Sequence, residues 1–318
     1  MGLQTRITKL LGIKYPIIQG GLAHLAYSDL AAAVSNAGGL GQITAMSLET
    51  TEELRNEIKR VKLMTDKPFG VNFAIGQHGR PFEHMVDIAI EENVPVISVT
   101  GGNPKGVLDR VDGHDMIKLV LTAATRQAIK AEELGADAVM VVGQEGGGHL
   151  GRSDVGTFVL TPEVADQLSI PVIASGGIVD GRGLMAALSL GAEAIEMGTR
   201  FIATKEARAH QNYKQAILDA TEDSTIVIKR SIGAPARVLR GPWTERILEI
   251  EQQVAGYESL KDYISGKVNQ HFIEHGDPNE GFGWAGQSAA RINDIPSVNE
   301  LIQSIVSEAE KVKAKWNK

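Results

Sequence analysis

The chain of 318 residues has no cysteine. Disulfides, thiolate metal ligands and a cysteine nucleophile are therefore excluded. It has no run of about 18 apolar residues, so no membrane-spanning helix is expected. Long Lys/Arg blocks are absent and the formal net charge is −7, a balance that argues against nucleic acid as a partner. No His, Asp and Glu side chains fall at metal-ligand spacing, so no metal site is expected. There is no Gly-x-Ser-x-Gly nucleophile elbow, and no Gly-x-Gly-x-x-Gly joins the first strand to the first helix. Residues 1–14 carry charges but not the apolar stretch of a signal peptide, so the expected location is the cytoplasm.

Glycine, by contrast, is abundant: 35 residues, in a chain that is 43% hydrophobic and 22% charged. That composition suits a folded chain with a sizeable core, arranged as one large domain or two small ones. The glycines cluster, above all in Gly143-Gln144-Glu145-Gly146-Gly147-Gly148-His149-Leu150-Gly151, directly after the apolar run Ala138-Val139-Met140-Val141-Val142. Consecutive glycines let backbone take positive φ and approach a flat or phosphorylated ligand closely. One imidazole projects from this bed.

Apolar, β-rich runs alternate with amphipathic helical stretches along the chain. Strands are expected at 15–19, 41–45, 68–74, 94–101, 116–123, 137–142, 171–177 and 194–201. Between them lie helices, the first capped by Ser28 or Asp29 and stopped at Gly38-Gly39, others near 48–63, 82–92 and 182–190. Eight β–α units with near-continuous apolar strands predict a (β/α)₈ TIM barrel, a parallel sheet covered on both faces. Beyond 201 the pattern changes. A helix is expected over 203–220, a short strand over 224–229, and mostly helix after Trp243 with a loop at 276–283. The expected division is a barrel over 1–240 and a helical cap over 241–318, its last helix (298–313) returning to the barrel.

Active sites of such barrels lie at the C-terminal ends of the strands, and Gly20-Gly21, Gly101-Gly102, Gly146 to Gly148, Gly176-Gly177 and Gly198 all fall there. Ser175-Gly176-Gly177 and Met197-Gly198-Thr199 end strands seven and eight, where barrels commonly bind phosphate through backbone N–H groups. Asn72 is polar inside an apolar strand, and Gln19 and Gln144 are similar amides. Each could meet a heterocycle or simply be satisfied within the mouth. His149 is the foremost acid/base candidate, since its ordinary pKa lies near neutrality. His24 could line the mouth and His78 lies in a loop after strand three. His210, His271 and His275 look like surface positions. Trp284, in Gly281-Phe282-Gly283-Trp284, could cover the mouth.

Six motifs in order carry a family resemblance: Tyr15-Pro16-Ile17-Ile18-Gln19-Gly20-Gly21, Ala37-Gly38-Gly39-Leu40-Gly41, Pro68-Phe69-Gly70-Val71-Asn72, Gly147-Gly148-His149, Pro171-Val172-Ile173-Ala174-Ser175-Gly176-Gly177-Ile178 and Met197-Gly198-Thr199-Arg200-Phe201. The chain resembles the nitronate monooxygenase (2-nitropropane dioxygenase) family and, equally, the related FMN-dependent enoyl-ACP reductase II, FabK. The resemblance implies a barrel holding non-covalent FMN. It implies FMN against Gly20, Gly21 and Leu22, with Asn72 at the ring, Gly148 beside the flavin, and Gln144 and Gly147 among the cofactor-binding residues. It implies the phosphate at Ser175, Gly176, Gly177, Met197, Gly198 and Thr199, and His149 as the catalytic residue. Leu22 departs from a methionine often found there, and Gln144-Glu145-Gly146 differs from each subfamily's pattern.

Three activities fit the resemblance. The first is oxidation of alkyl nitronates by O₂ to a carbonyl compound and nitrite, with His149 deprotonating a neutral nitroalkane or steadying the anion. The second is NAD(P)H-dependent enoyl-ACP reduction, and the third NAD(P)H:quinone reduction, both on the same scaffold. A non-catalytic FMN-binding protein is the reading from another class. The partners expected are small molecules, a nitronate or, under the alternatives, NAD(P)H. Neither nucleic acid nor membrane is expected, and a homodimer is compatible with all readings.

Overall fold

The computed structural model describes residues 3–76, 81–253 and 256–316; His78 lies outside the described residues. The eight apolar runs form strands β1 (Ile17–Gln19), β2 (Gly41–Thr44), β3 (Phe69–Ala74), β4 (Val96–Thr100), β5 (Ile117–Thr122), β6 (Ala138–Val142), β7 (Val172–Ser175) and β8 (Ala194–Met197). Each pairs in parallel with its neighbour, in the spatial order β1-β8-β7-β6-β5-β4-β3-β2. A parallel bridge between Ile18 and Leu40 joins β1 to the entry of β2, with Gln19 N–H donating to the Leu40 carbonyl at 2.9 Å. The sheet closes on itself, and the fold is a (β/α)₈ barrel. Its interior is side chains, not a pore: Ile18, Leu40, Val96, Leu119, Met140 and Ile173 pack in one buried cluster with Ile7, Leu11 and Ile13. The last three come from helix Arg6–Leu11 and the turn after it, which plug the end opposite the strand C-termini.

Several local expectations shift. The first helix is Ser28–Asn36, and neither Ser28 nor Asp29 caps it; the N-cap is Tyr27, with no side-chain bond. The Glu57 carboxylate of the next helix accepts from Ser28 N–H at 2.7 Å instead, a neighbour's charge serving the helix N-terminus. Strand eight stops at Met197, not at 201, because the chain turns at Gly198 into the short helix Thr199–Ile202. The helix expected over 203–220 is confined to Gln211–Leu218, where the His210 imidazole accepts from Asn212 N–H.

The segment after the barrel is not only helical. Strands β9 (Thr225–Ile228) and β10 (Ala236–Leu239) form an antiparallel hairpin. Gly148 and His149 of the loop after β6 add to its edge, His149 opposite Ala236 and Gly148 opposite Arg237. Helices Pro242–Gln253 and Gly266–His275 follow. The final helix, Val298–Trp316, meets helix Gly181–Ser189, where Glu308 accepts from Gly181 N–H at 2.8 Å. Leu301, Ile302, Ile305 and Ala309 of this last helix are buried with Leu184 and Ala187.

Candidate active site

The floor of the mouth is a row of uncharged polar groups at the strand ends. Gln42 accepts from Ser98 Oγ at 2.6 Å through its Oε1 and donates to the Gln19 carbonyl at 2.8 Å through its Nε2. The Gln19 side chain is spent internally, accepting from Gln42 N–H at 2.9 Å and donating to the Gly20 carbonyl. Asn72 donates from Nδ2 to Ser98 Oγ at 2.8 Å and to Thr100 Oγ1 at 2.9 Å. Its Oδ1 lies against Gly21, so a side chain at residue 21 would collide with the amide. Of the candidate amides, Gln19 is thus structural in its contacts. Gln144 differs: its Nε2 donates to Asp154 at 2.6 Å, while its Oε1 is buried with no partner.

Glu196, which sequence reasoning passed over, sits in β8 on this floor with 7% of its surface exposed. Burial pushes its pKa up to about 7, against a smaller lowering by a hydrogen bond from Ser175. Its position was readable as a lone acid in the apolar run Ala194-Ile195-Glu196-Met197. The carboxyl lies beside Gly20, whose N–H donates to the Met197 carbonyl at 2.9 Å.

The three-glycine bed divides by function. A Cβ on Gly147 would fall 2.6 Å from Gly286 N, and one on Gly146 would meet Val142 at 2.5 Å. Protein packing therefore accounts for both. Gly148 has φ +75° and nothing within 4 Å of a would-be Cβ, so of the three it alone has an open Cβ direction. Nearby, Thr157 N–H donates to Glu145 at 2.8 Å and its hydroxyl lies 3.0 Å from the Gly176 carbonyl, which ties the ends of β6 and β7 together. Thr199 Oγ1 accepts from Gly286 N–H at 2.9 Å, and Leu22 lies beside Gly198.

His149 stands at the solvent-accessible edge of this bed. Its Nε2 is 2.9 Å from Lys229 Nζ, and its ring centroid is 5.5 Å from that of Trp284. Trp284 is in turn 5.5 Å from Lys229 Nζ and edge-on to Phe282. The surrounding protein, and secondarily the Lys229 charge, push the imidazole pKa down to about 4. Burial lowers Lys229 to about 8, opposed by Glu251. Lys229 carries no sequence signal: it follows a short strand and lies 80 positions from its partner. Of the other histidines, His24 is half-buried with Nδ1 unpartnered, and burial lowers its pKa. His210 caps a helix, and His271 pairs with Glu280 at 2.8 Å at the surface.

The family model for nitronate monooxygenase matches residues 4–308. The chain belongs to the nitronate monooxygenase family. A protein of Staphylococcus saprophyticus named "Probable nitronate monooxygenase" is 32% identical, over 98% of this chain and 99% of that one. Another relative is a (3aS,4S,5R,7aS)-5-hydroxy-7a-methyl-1-oxo-octahydro-1H-indene-4-carboxyl-CoA dehydrogenase of Mycobacterium tuberculosis, 34% identical over 97% of both chains. Among solved structures, FabK from Thermotoga maritima superposes with a TM-score of 0.92 at 39% identity, covering 99% and 98% of the two chains. Nitroalkane oxidase from Streptomyces ansochromogenes gives 0.84 at 27% identity, covering 98% and 99%. Relatives of such different names share the oxidoreductase class, and this chain is an oxidoreductase.

Proposed function

We propose that the protein is an FMN-dependent nitronate monooxygenase. The residues fit a flavin mononucleotide: the open side of Gly148 leaves room for a flat ring, and the buried, unpartnered Gln144 Oε1 awaits a donor. Asn72, Gln144 and Gly148 would line the ring, and Gly176, Gly177, Gly198 and Thr199 would hold the phosphate with backbone N–H groups and a hydroxyl. The chemistry such a flavin supplies is redox: electrons leave an anionic nitronate and reach O₂, with a carbonyl compound and nitrite as products.

The chain itself binds and orients the anion. The observation that carries this reading is the Lys229–His149 pair at 2.9 Å beside open Gly148. It sets one ammonium above a floor of amides, hydroxyls and the Glu196 carboxyl, whose ionisation burial delays by raising its pKa to about 7, with the Glu145 carboxylate tied to Thr157 beside Gly177. An anion is favoured in such a place. The Trp284 ring lies beside the pair, 5.5 Å from the Lys229 ammonium and from the His149 ring.

A second reading, NAD(P)H-dependent reduction of an enoyl thioester, is favoured by the likeness to FabK and to the CoA dehydrogenase. Anaerobic mixing separates the two. The purified protein should be yellow with stoichiometric FMN, nitronate should bleach it, and air should then yield nitrite. Bleaching by NAD(P)H with reoxidation by an enoyl thioester, and none by nitronate, would transfer the assignment to the reductase. Absence of bound flavin after reconstitution would overturn both.

A further inference from the structure

Lys229 is held in an unusual way. Its φ is +65°, in the left-handed region that non-glycine residues rarely adopt. Strain of this kind persists only where the surroundings over-determine it, and it concentrates at functional sites. Here the Glu251 carboxylate does so. It accepts from Lys229 N–H at 2.8 Å, and from the N–H and hydroxyl of Ser231 at 2.9 and 2.7 Å. The Lys229 side chain is 6% exposed. Among the described residues its ammonium forms no salt bridge; its polar partner is His149 Nε2, and its remaining cover is the Trp284 face. A buried ammonium spent on a histidine has no evident packing purpose, because burial without an anion costs free energy.

The chemistry of that contact is one-directional. An ammonium has three donors and no acceptor, so the imidazole nitrogen facing it must accept. Which ring nitrogen carries the proton is set by the bond the other makes. We propose that Lys229 is the positioning residue that fixes neutral His149 with its proton on Nδ1, so that the imidazole serves the mouth as a hydrogen-bond donor to an anion and not as a base. This rests on the reading of the mouth as the active site. Nδ1 makes no hydrogen bond among the described residues, so its N–H is available to a ligand. Nε2 is occupied and Nδ1 already protonated, so His149 does not take a proton from a neutral nitroalkane. Of the two ways a histidine could serve, holding the anion remains. The lowered imidazole pKa points the same way, and Lys229, lowered to about 8, is still mostly an ammonium at neutral pH. The charged groups acting on the pair are Lys229 on the imidazole and Glu251 on Lys229, with Arg237 of β10 turned away to the Gln144 carbonyl and Thr225.

The test is NMR of the flavin-loaded protein with isotope-labelled histidine, His149 being assigned by comparison with His149→Gln. Near neutral pH, the parent protein should show protonated Nδ1 and bare Nε2. Lys229→Met should lose that preference and raise the imidazole pKa while keeping flavin. Lys229→Arg, whose guanidinium is always charged, should keep the tautomer to higher pH than the parent. Turnover of preformed nitronate should fall roughly 10- to 100-fold in Lys229→Met, the worth of a charge-assisted hydrogen bond. In the parent it should decline as pH rises through about 8, and this limb should vanish in Lys229→Arg. A protonated Nε2 of His149 in the parent protein overturns the inference, and needs no Lys229 variant to fold. So does an unchanged tautomer and pH profile in Lys229→Met. A fixed Nδ1–H tautomer in a protein that does not oxidise nitronate supports the inference and removes the nitronate assignment alone.

Discussion

Replacing Glu196 by glutamine should stabilise the protein, and only above a definite pH. The carboxyl is buried on β8, faces Gly20, and has a hydrogen bond from Ser175 but no cation among the described residues. Burial disfavours the charged form and raises its pKa from 4.5 to about 7. Between these values the unfolded chain has released its proton while the folded chain still holds it. The unfolded state therefore binds fewer protons, and stability falls as pH rises from 4.5 to about 7, then levels. At about 1.4 kcal/mol per pH unit, the gap between 4.5 and about 7 corresponds to about 3 kcal/mol. Glutamine has nearly the same shape and cannot ionise. At about pH 8 the Glu196→Gln apoprotein should be more stable than its parent by up to about 3 kcal/mol, several degrees in Tm. Near pH 4.5 the two should melt together. Thermal and denaturant unfolding across this pH range, on flavin-free protein, measures the difference. A gap independent of pH, or a parent more stable than the variant at about pH 8, would refute the reasoning and imply an unrecognised cation beside Glu196.

Two further substitutions probe the mouth. At Gly198 the backbone φ of −109° admits any residue, but a Cβ would sit 3.2 Å from Leu22. Gly198→Val should therefore fold yet lose flavin on gel filtration, and stoichiometric retention would remove Gly198 from the phosphate site. Trp284→Ala strips the face that covers Lys229 and His149, at 5.5 Å from each. A cation–π contact of about 0.5–2 kcal/mol corresponds to roughly a 2- to 30-fold loss in kcat/KM, and unchanged steady-state kinetics would make Trp284 a packing residue only.

The barrel was legible because a parallel sheet covered on both faces must be apolar along most of its strands; β6 reads that way residue by residue, and β4 and β7 are broken only by the hydroxyls of Ser98, Thr100 and Ser175. The departures came where another force governs. The strand expected over 194–201 was carried to Phe201 across Gly198-Thr199-Arg200, yet at Gly198 the backbone turns into a helix four residues early. Strand β10 was missed because Arg237 interrupts its pattern. That arginine is nonetheless 6% exposed, its guanidinium donating to the Gln144 carbonyl and Thr225 Oγ1, both at 3.2 Å. Hydrogen bonds to groups 93 and 12 positions away bury a charge that periodicity assigns to solvent.

The same limit explains the mouth. His149 could be singled out because its residue type and its glycine neighbours are local facts. Lys229 could not, since its meaning comes from a left-handed turn after β9 and from Glu251 on a later helix. These two features bring the ammonium across 80 positions. A division of labour between the barrel strands and the hairpin follows. The strand ends supply a floor of amides, hydroxyls and an acid whose pKa burial raises to about 7, whereas the hairpin brings the ammonium and holds the loop that bears His149. The barrel thus determines where a flat cofactor would lie. The hairpin brings a positive charge to its edge through Lys229 and the His149 it contacts.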